Sequence, residues 1–77
     1  MSIFADVTKL SEDDRQVVYG YPDGRGEPRT LVLDKVAGTV RPGPGLQRTV
    51  QYDEVARAVA TAWADTGAAP QRLSVQA

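Results

Sequence analysis

The chain has 77 residues, of which 42% are hydrophobic and 25% charged, and its formal net charge is −1. These values predict one small globular domain over residues 1–77 and exclude the clear basic excess of a general nucleic-acid binder. The chain contains no cysteine and no histidine, so disulfides, thiolate or imidazole metal sites, cysteine nucleophiles and histidine proton shuttles are all excluded. A domain this small buries little surface and gains stability from association.

Residues 2–10 leave two interpretations open. Phe4, Val7 and Leu10 have the spacing of one face of a short helix, but a coil suits so short a segment equally well. The segment that follows, Ser11-Glu12-Asp13-Asp14, predicts an acidic, solvated turn. It does not predict a calcium site, since calcium loops place their oxygens at alternate positions with a glycine at the bend.

Three strands follow, separated by turns. The runs 15–21 and 29–34 are rich in β-branched and aromatic residues, as strands are, and the segment between them has turn chemistry. A short loop closed by Gly38 in the left-handed conformation returns the chain as a third strand at 39–41, antiparallel to the second. Beyond a Pro-Gly-Pro-Gly break, residues 47–51 form either a fourth short strand or a lead-in to the next element.

A helix is predicted over about residues 52–66, because apolar side chains recur there with a 3.6-residue period. Asp53 is the expected N-cap, and Gly67 followed by Pro70 is a typical helix stop. Residues 71–76 alternate between apolar and polar side chains and predict a final strand. The apolar helix face comprises Tyr52, Val55, Ala56, Val59, Ala62, Trp63 and Thr66.

The element order predicts an α+β fold. A small antiparallel sheet of three or four strands forms a β-meander, the amphipathic helix packs on one face of it, and a C-terminal strand follows. Alternation along the strands sends one set of side chains beneath the helix. The predicted core comprises Val17, Tyr19, Tyr21, Leu31, Leu33, Val40, Leu73, Val75, Val55, Val59 and Trp63.

The sheet face opposite the helix is the first candidate binding surface. It is weakly apolar, and such a face, like an exposed terminal strand, is suited to pairing with a second copy or with a partner protein. A solvated sheet face is the alternative interpretation. Alternation assigns to this face Val18, Gly20, Thr30, Val32, Thr39, Arg41 and Ser74.

An arginine cluster at one end of the sheet is the second candidate. In a meander the loops 22–28 and 42–46 lie at the same end, and the helix N-terminus opens there if 47–51 is a lead-in. Guanidinium groups beside a helix N-terminus favour phosphate or carboxylate, whereas loose surface pairing with nearby carboxylates is the alternative. The four arginines of this cluster are Arg25, Arg29, Arg41 and Arg48.

Two parts of the sequence resemble known families. If residues 2–10 are helical, the order helix, three strands, helix resembles a double-stranded-RNA-binding domain. Tyr52-Asp53-Glu54 stands where that family carries its phosphate-binding lysines, so the resemblance implies the fold without the binding of RNA phosphates. The segment from Thr49 to Pro70, with an acidic helix start, many alanines and Trp63, is similar in outline to antitoxins that pair with small mRNA-cleaving toxins.

These observations predict a non-enzymatic protein-interaction module, either a homodimer or an accessory or inhibitor subunit, that acts through a sheet face or an edge strand. An anion- or nucleic-acid-binding domain is the alternative. We expect no catalytic residue, no cofactor and no metal. No apolar run is long enough to cross a bilayer, and the first residues lack the features of a signal peptide, so a cytoplasmic location without membrane contact is expected.

Overall fold

A computed structural model describes residues 4–76 as a five-stranded antiparallel sheet with one helix packed against it. The α+β fold predicted from the sequence is therefore confirmed. Within these residues, no helix has both the length and the apolar character that crossing a bilayer requires. The elements are β1 (Phe4–Glu12), β2 (Gln16–Pro22), β3 (Pro28–Asp34), β4 (Thr39–Pro42), α1 (Val50–Thr66) and β5 (Arg72–Gln76).

The strand order in the sheet is β4-β3-β2-β1-β5. Four strands form a meander, and α1 then crosses one face of the sheet so that β5 pairs with the outer side of β1. Since each neighbouring pair is antiparallel, β4 and β5 run in the same direction. They form the two opposite edges of the sheet, and each of them pairs with one strand only in the described part of the chain.

Strand β1 corrects the prediction for the first segment, which is neither helix nor coil over residues 4–10; residues 2 and 3 lie outside the described residues. Val7 is buried under the helix, and Lys9 takes the next inward position opposite Tyr19. The register then shifts at a β-bulge, which inserts one extra residue into the strand. Leu10 follows Lys9 on the other face by ordinary alternation, and its side chain lies over Gly20. Val7 thus lies on one face of the strand, and Phe4 and Leu10 lie on the other. Because both faces carry apolar side chains, an extended chain here shows a three-residue apolar spacing like that of a helix.

The N-terminus of α1 corrects a second prediction. The helix begins at Val50, and its N-cap is Thr49, whose side-chain oxygen accepts the backbone N–H of Tyr52 at 3.0 Å. Asp53 lies within the first turn and is not the cap. Residues 47–49 are therefore the lead-in to the helix, and no strand forms there.

Two predicted glycine positions are confirmed. Gly38 has a φ of 71° and closes the β3–β4 loop, where its N–H donates to the carbonyl of Asp34 at 2.8 Å. Gly67 has a φ of 70° at the end of α1, and its N–H donates to the carbonyl of Trp63 at 2.8 Å. Both positions need the left-handed conformation that glycine adopts without steric cost.

The core lies between α1 and the sheet face that it crosses. The predicted core residues all belong to it, with Val40, Trp63 and Leu73 at its partly buried margin. Strand β1 adds Ala5 and Val7, which the sequence reasoning did not place there. The hydroxyl of Tyr19 donates to the carbonyl of Pro70 at 2.7 Å, which fastens the end of the α1–β5 loop to the centre of the sheet.

An ion cluster fastens the bulged end of β1. The carboxylate of Glu12 lies 2.6 Å from Lys9 Nζ and 2.6 Å from Lys35 Nζ, and these two ammonium groups lower its pKa to about 2. Lys9 Nζ also donates to the carbonyl of Ala69 at 3.1 Å. Next to the cluster, the carboxylate of Asp13 accepts two backbone N–H groups of its own turn. The acidic run is thus used within the fold.

Candidate protein-interaction surface

The sheet face opposite α1, called the open face, carries the side chains that alternation assigned to it. Strand pairing places Val18 beside Val32, Gly20 beside Thr30, and Val32 beside Arg41 on this face. The bulged strand β1 adds residues that the sequence reasoning did not assign there. These added residues are Phe4, Asp6, Thr8 and Leu10.

Val32 offers little of its surface to a partner. It is only 5% exposed although α1 packs on the opposite face, because Val18 and Arg41 flank it in the neighbouring strands. The exposed apolar groups of the face are instead Leu10 at 60% and Phe4 at 58%, both on β1. The apolar surface of the open face is therefore displaced from its centre toward the β1–β5 side of the sheet.

The predicted arginine end is only partly assembled. The 42–46 loop lies beside the first part of β3, since Gly43 donates its N–H to the carbonyl of Thr30 at 2.9 Å. Arg29 lies on the helix side of the sheet, beside Tyr21, and its Nη2 donates to the carbonyl of Gln47 at 3.0 Å. Arg29 Nε is buried without a hydrogen-bond partner, so the base of the guanidinium group faces the interior.

The other three arginines do not join Arg29 in one site. The guanidinium of Arg48 lies 2.9 Å from the carboxylate of Asp53 and 5.9 Å from the ring centre of Tyr52. Arg41 is on the open face, and Arg25 is exposed in the β2–β3 turn. Because Asp53 already supplies a negative charge to the first turn of α1, this end of the sheet is poorly arranged for an added anion.

Strand β4 is a blunted edge. Along an antiparallel pair of strands, every second residue directs its backbone N–H and C=O toward the partner strand. The hydrogen bond from Gly43 to Thr30 shows which residues of β4 these are. Arg41 therefore bonds to β3, whereas Val40 and Pro42 direct their backbone groups outward. Proline has no N–H, and this strand is only four residues long. Both features are common protections against strand addition.

Strand β5 is an open edge. Lys9 donates its N–H to the carbonyl of Gln71 at 2.9 Å, and the same alternation directs Gln71, Leu73 and Val75 toward β1. The residues between them direct their N–H and C=O groups away from the sheet, and in the part of the chain that the structure describes these groups have no partner. These groups, called the β5 edge, belong to Arg72, Ser74 and Gln76.

Charged and apolar groups flank the β5 edge on its two sides. On the open face, Ser74 Oγ lies 3.5 Å from a carboxylate oxygen of Asp6, and Arg72 is exposed beside Thr8. The ion pairs found within residues 4–76 include neither Asp6 nor Arg72. On the helix side, a groove of about 420 Å³ runs between α1 and β5. Its apolar lining comprises Ala58, Ala62 and Val75, and charged side chains also line it, those of Glu54, Arg57 and Asp65.

Comparison with protein-family models, with curated proteins and with solved structures returned no match. The resemblance to a double-stranded-RNA-binding domain required a first helix and is wrong, because the chain forms strand β1 over residues 4–12. The resemblance to antitoxins concerns the outline of α1 and is not supported by any matching family.

Proposed function

We propose that this chain is a non-enzymatic protein-interaction module that binds another polypeptide by strand addition at the β5 edge. The observation that carries the proposal is the row of outward N–H and C=O groups on Arg72, Ser74 and Gln76. Main-chain groups of this kind give a partner strand its affinity, and the side chains beside them give it specificity. The proposal includes a cytoplasmic location, since the chain, without cysteine, folds without disulfides.

The β5 edge is favoured over the other surfaces for physical reasons. The β4 edge lacks one outward donor because of Pro42, and the open face is weakly apolar with Val32 already covered. Each main-chain hydrogen bond that a partner adds contributes about 0.5–1.5 kcal/mol net. The groove between α1 and β5 lies beside the edge, so an added strand also removes apolar side chains from water.

Site-specific photo-crosslinking in the cells that express the protein tests this proposal. A photoreactive amino acid is placed at Gln76 on the β5 edge, at Thr39 on the β4 edge, or at Thr30 on the open face. We expect covalent adducts from position 76 and none from the other two. The adducts should persist at high salt, unlike contacts between arginine and phosphate.

A proline variant shows whether the main chain of β5 makes the contact. Ser74 directs its N–H outward, so Ser74→Pro removes one outward donor and leaves the β1–β5 ladder intact. Ser74→Val is the matched control, because it changes the side chain and keeps the donor. We expect S74P to abolish the adducts from Gln76 and S74V to retain them. Adducts from Thr30 or Thr39, equal adducts in both variants, or no adducts overturn the proposal.

A further inference from the structure

The geometry of the β5 edge points to a second copy of this chain as the added strand. We infer that β5 pairs antiparallel with the β5 of a partner subunit about a two-fold axis at Ser74, so that one continuous sheet runs through both copies. This inference rests on the proposed function and names its partner. Isologous two-fold dimers are the commonest homo-oligomers and need a surface that is complementary to itself.

The β5 edge meets that requirement in its backbone. Its outward residues lie symmetrically about Ser74, with Arg72 and Gln76 two positions to either side. With a two-fold axis at this position, Ser74 lies opposite Ser74 of the partner subunit, and Arg72 lies opposite Gln76 of the partner subunit. Every outward N–H then faces an outward C=O, which gives about six hydrogen bonds between the copies. A one-residue slip places outward groups opposite residues that already bond to β1.

The side chains on the open face are also complementary in this register. Arg72 of the partner subunit lies level with Phe4, at a distance of two strand spacings across the sheet. Asp6 is two residues further along β1 on the same face. Strand spacing and rise put the Cα atoms of that arginine and Asp6 about 12 Å apart, a span that an arginine and an aspartate side chain bridge together. The two-fold axis makes this ion pair twice, between charges that have no ion-pair partner within residues 4–76.

The apolar side chains on the helix side meet as well. The same register places the half-buried Leu73 opposite Val75 of the partner subunit, in a pair of the closely spaced type. The groove between α1 and β5 then faces its own copy across the axis, which covers Ala58 and Ala62. Main-chain, charged and apolar complementarity thus all follow from one symmetry axis.

Engineered cysteines test this register, because the natural chain has none. Residues opposite each other in a hydrogen-bonded pair have Cα atoms about 5.5 Å apart, within disulfide range. Ser74→Cys should therefore form a disulfide-linked dimer under mild oxidation. Arg72→Cys and Gln76→Cys should link when mixed and not singly, since each lies about 13 Å along the strand from its own copy. Thr39→Cys on the β4 edge is the control.

The register is overturned if S74C links no more than T39C, or if R72C alone links as well as the R72C–Q76C mixture. Light scattering on the wild-type protein should give twice the monomer mass. Self-pairing is overturned if the wild type is a monomer, S74C forms no disulfide-linked dimer, and the photoreactive residue at position 76 links to a protein of different mass in cells. Strand addition to another protein then still stands. A monomer that also gives no crosslinks from Gln76 overturns both.

Discussion

Glu12 holds its carboxylate between two ammonium groups, those of Lys9 and Lys35. Both lysine side chains are largely buried, and each contacts a residue far from itself in the chain: Lys9 donates to the carbonyl of Ala69, and Lys35 donates to that of Asp13. The cluster thereby ties together β1, the β3–β4 turn and the α1–β5 loop. Its integrity depends on the ionised form of one carboxyl group.

Acid should weaken the fold through Glu12. Its pKa in the folded chain, about 2, lies below its ordinary value of 4.5, so the unfolded chain binds more protons between these values. The free energy of unfolding therefore falls as the pH drops from about 4.5 to about 2. We expect Glu12→Gln to lower stability at neutral pH and to lose less stability than the wild type across this window, measured by urea unfolding.

The lysines provide the control for this prediction. Lys35→Met should raise the pKa of Glu12 above about 2, as measured by NMR titration of the side-chain carboxyl carbon. Some acid sensitivity should remain in E12Q, because backbone N–H groups also lower the pKa values of Asp13, Asp23 and Asp34. A Glu12 that titrates near 4.5 in the wild type contradicts the account.

Among the elements, α1 offers a test of its N-terminal cap. Thr49 accepts the N–H of Tyr52, whereas Asp53 pairs with Arg48 at the surface. Thr49→Ala should therefore cost about 1 kcal/mol of the free energy of unfolding, and Thr49→Ser should restore most of it. Asp53→Ala should cost less than T49A in the same denaturation experiment. The reverse order contradicts the cap that the structure assigns.

The elements also show how far local sequence patterns reach. The β3–β4 hairpin and the end of α1 were predictable because Gly38 and Gly67 act within their own turns. Strand β1 was not, because Lys9 occupies an inward position and the bulge before Ser11 breaks the alternation. The sequence predicts the wrong N-cap because threonine and aspartate both suit that position; in the structure Thr49 accepts the N–H of Tyr52, whereas Asp53 already lies in the first turn.

The candidate site was less predictable than the elements, for a topological reason. Alternation at 71–76 predicts strand β5, and an exposed terminal strand was expected as an interaction surface. Which strand forms the open edge depends on where α1 delivers the chain, and that is a non-local property. Alternation in the sequence therefore points to Val18 and Val32, whereas the outward backbone groups belong to Arg72 and its alternate neighbours.

For the whole molecule, self-pairing links stability to concentration. A dimer that dissociates on unfolding becomes more stable as the protein concentration rises. We expect the Tm of the wild type to increase by a few °C for each tenfold increase in concentration, measured by circular dichroism. Ser74→Pro should unfold at one temperature at all concentrations, whereas Ser74→Val should follow the wild type. A Tm of the wild type that stays constant over a hundredfold range contradicts self-pairing.

The position of β1 has a consequence for the order of folding. A tight turn connects β1 to β2, so their paired residues are close in the sequence. Residues that pair between β1 and β5 are far apart in the sequence, as are Lys9 and Gln71, which are separated by 62 positions. Contacts between distant residues carry the larger loop-closure entropy and form slowly. We therefore expect the meander to form first, with the outer side of β1 waiting for the last strand. During synthesis on the ribosome, β1 is then the exposed edge until β5 emerges and docks.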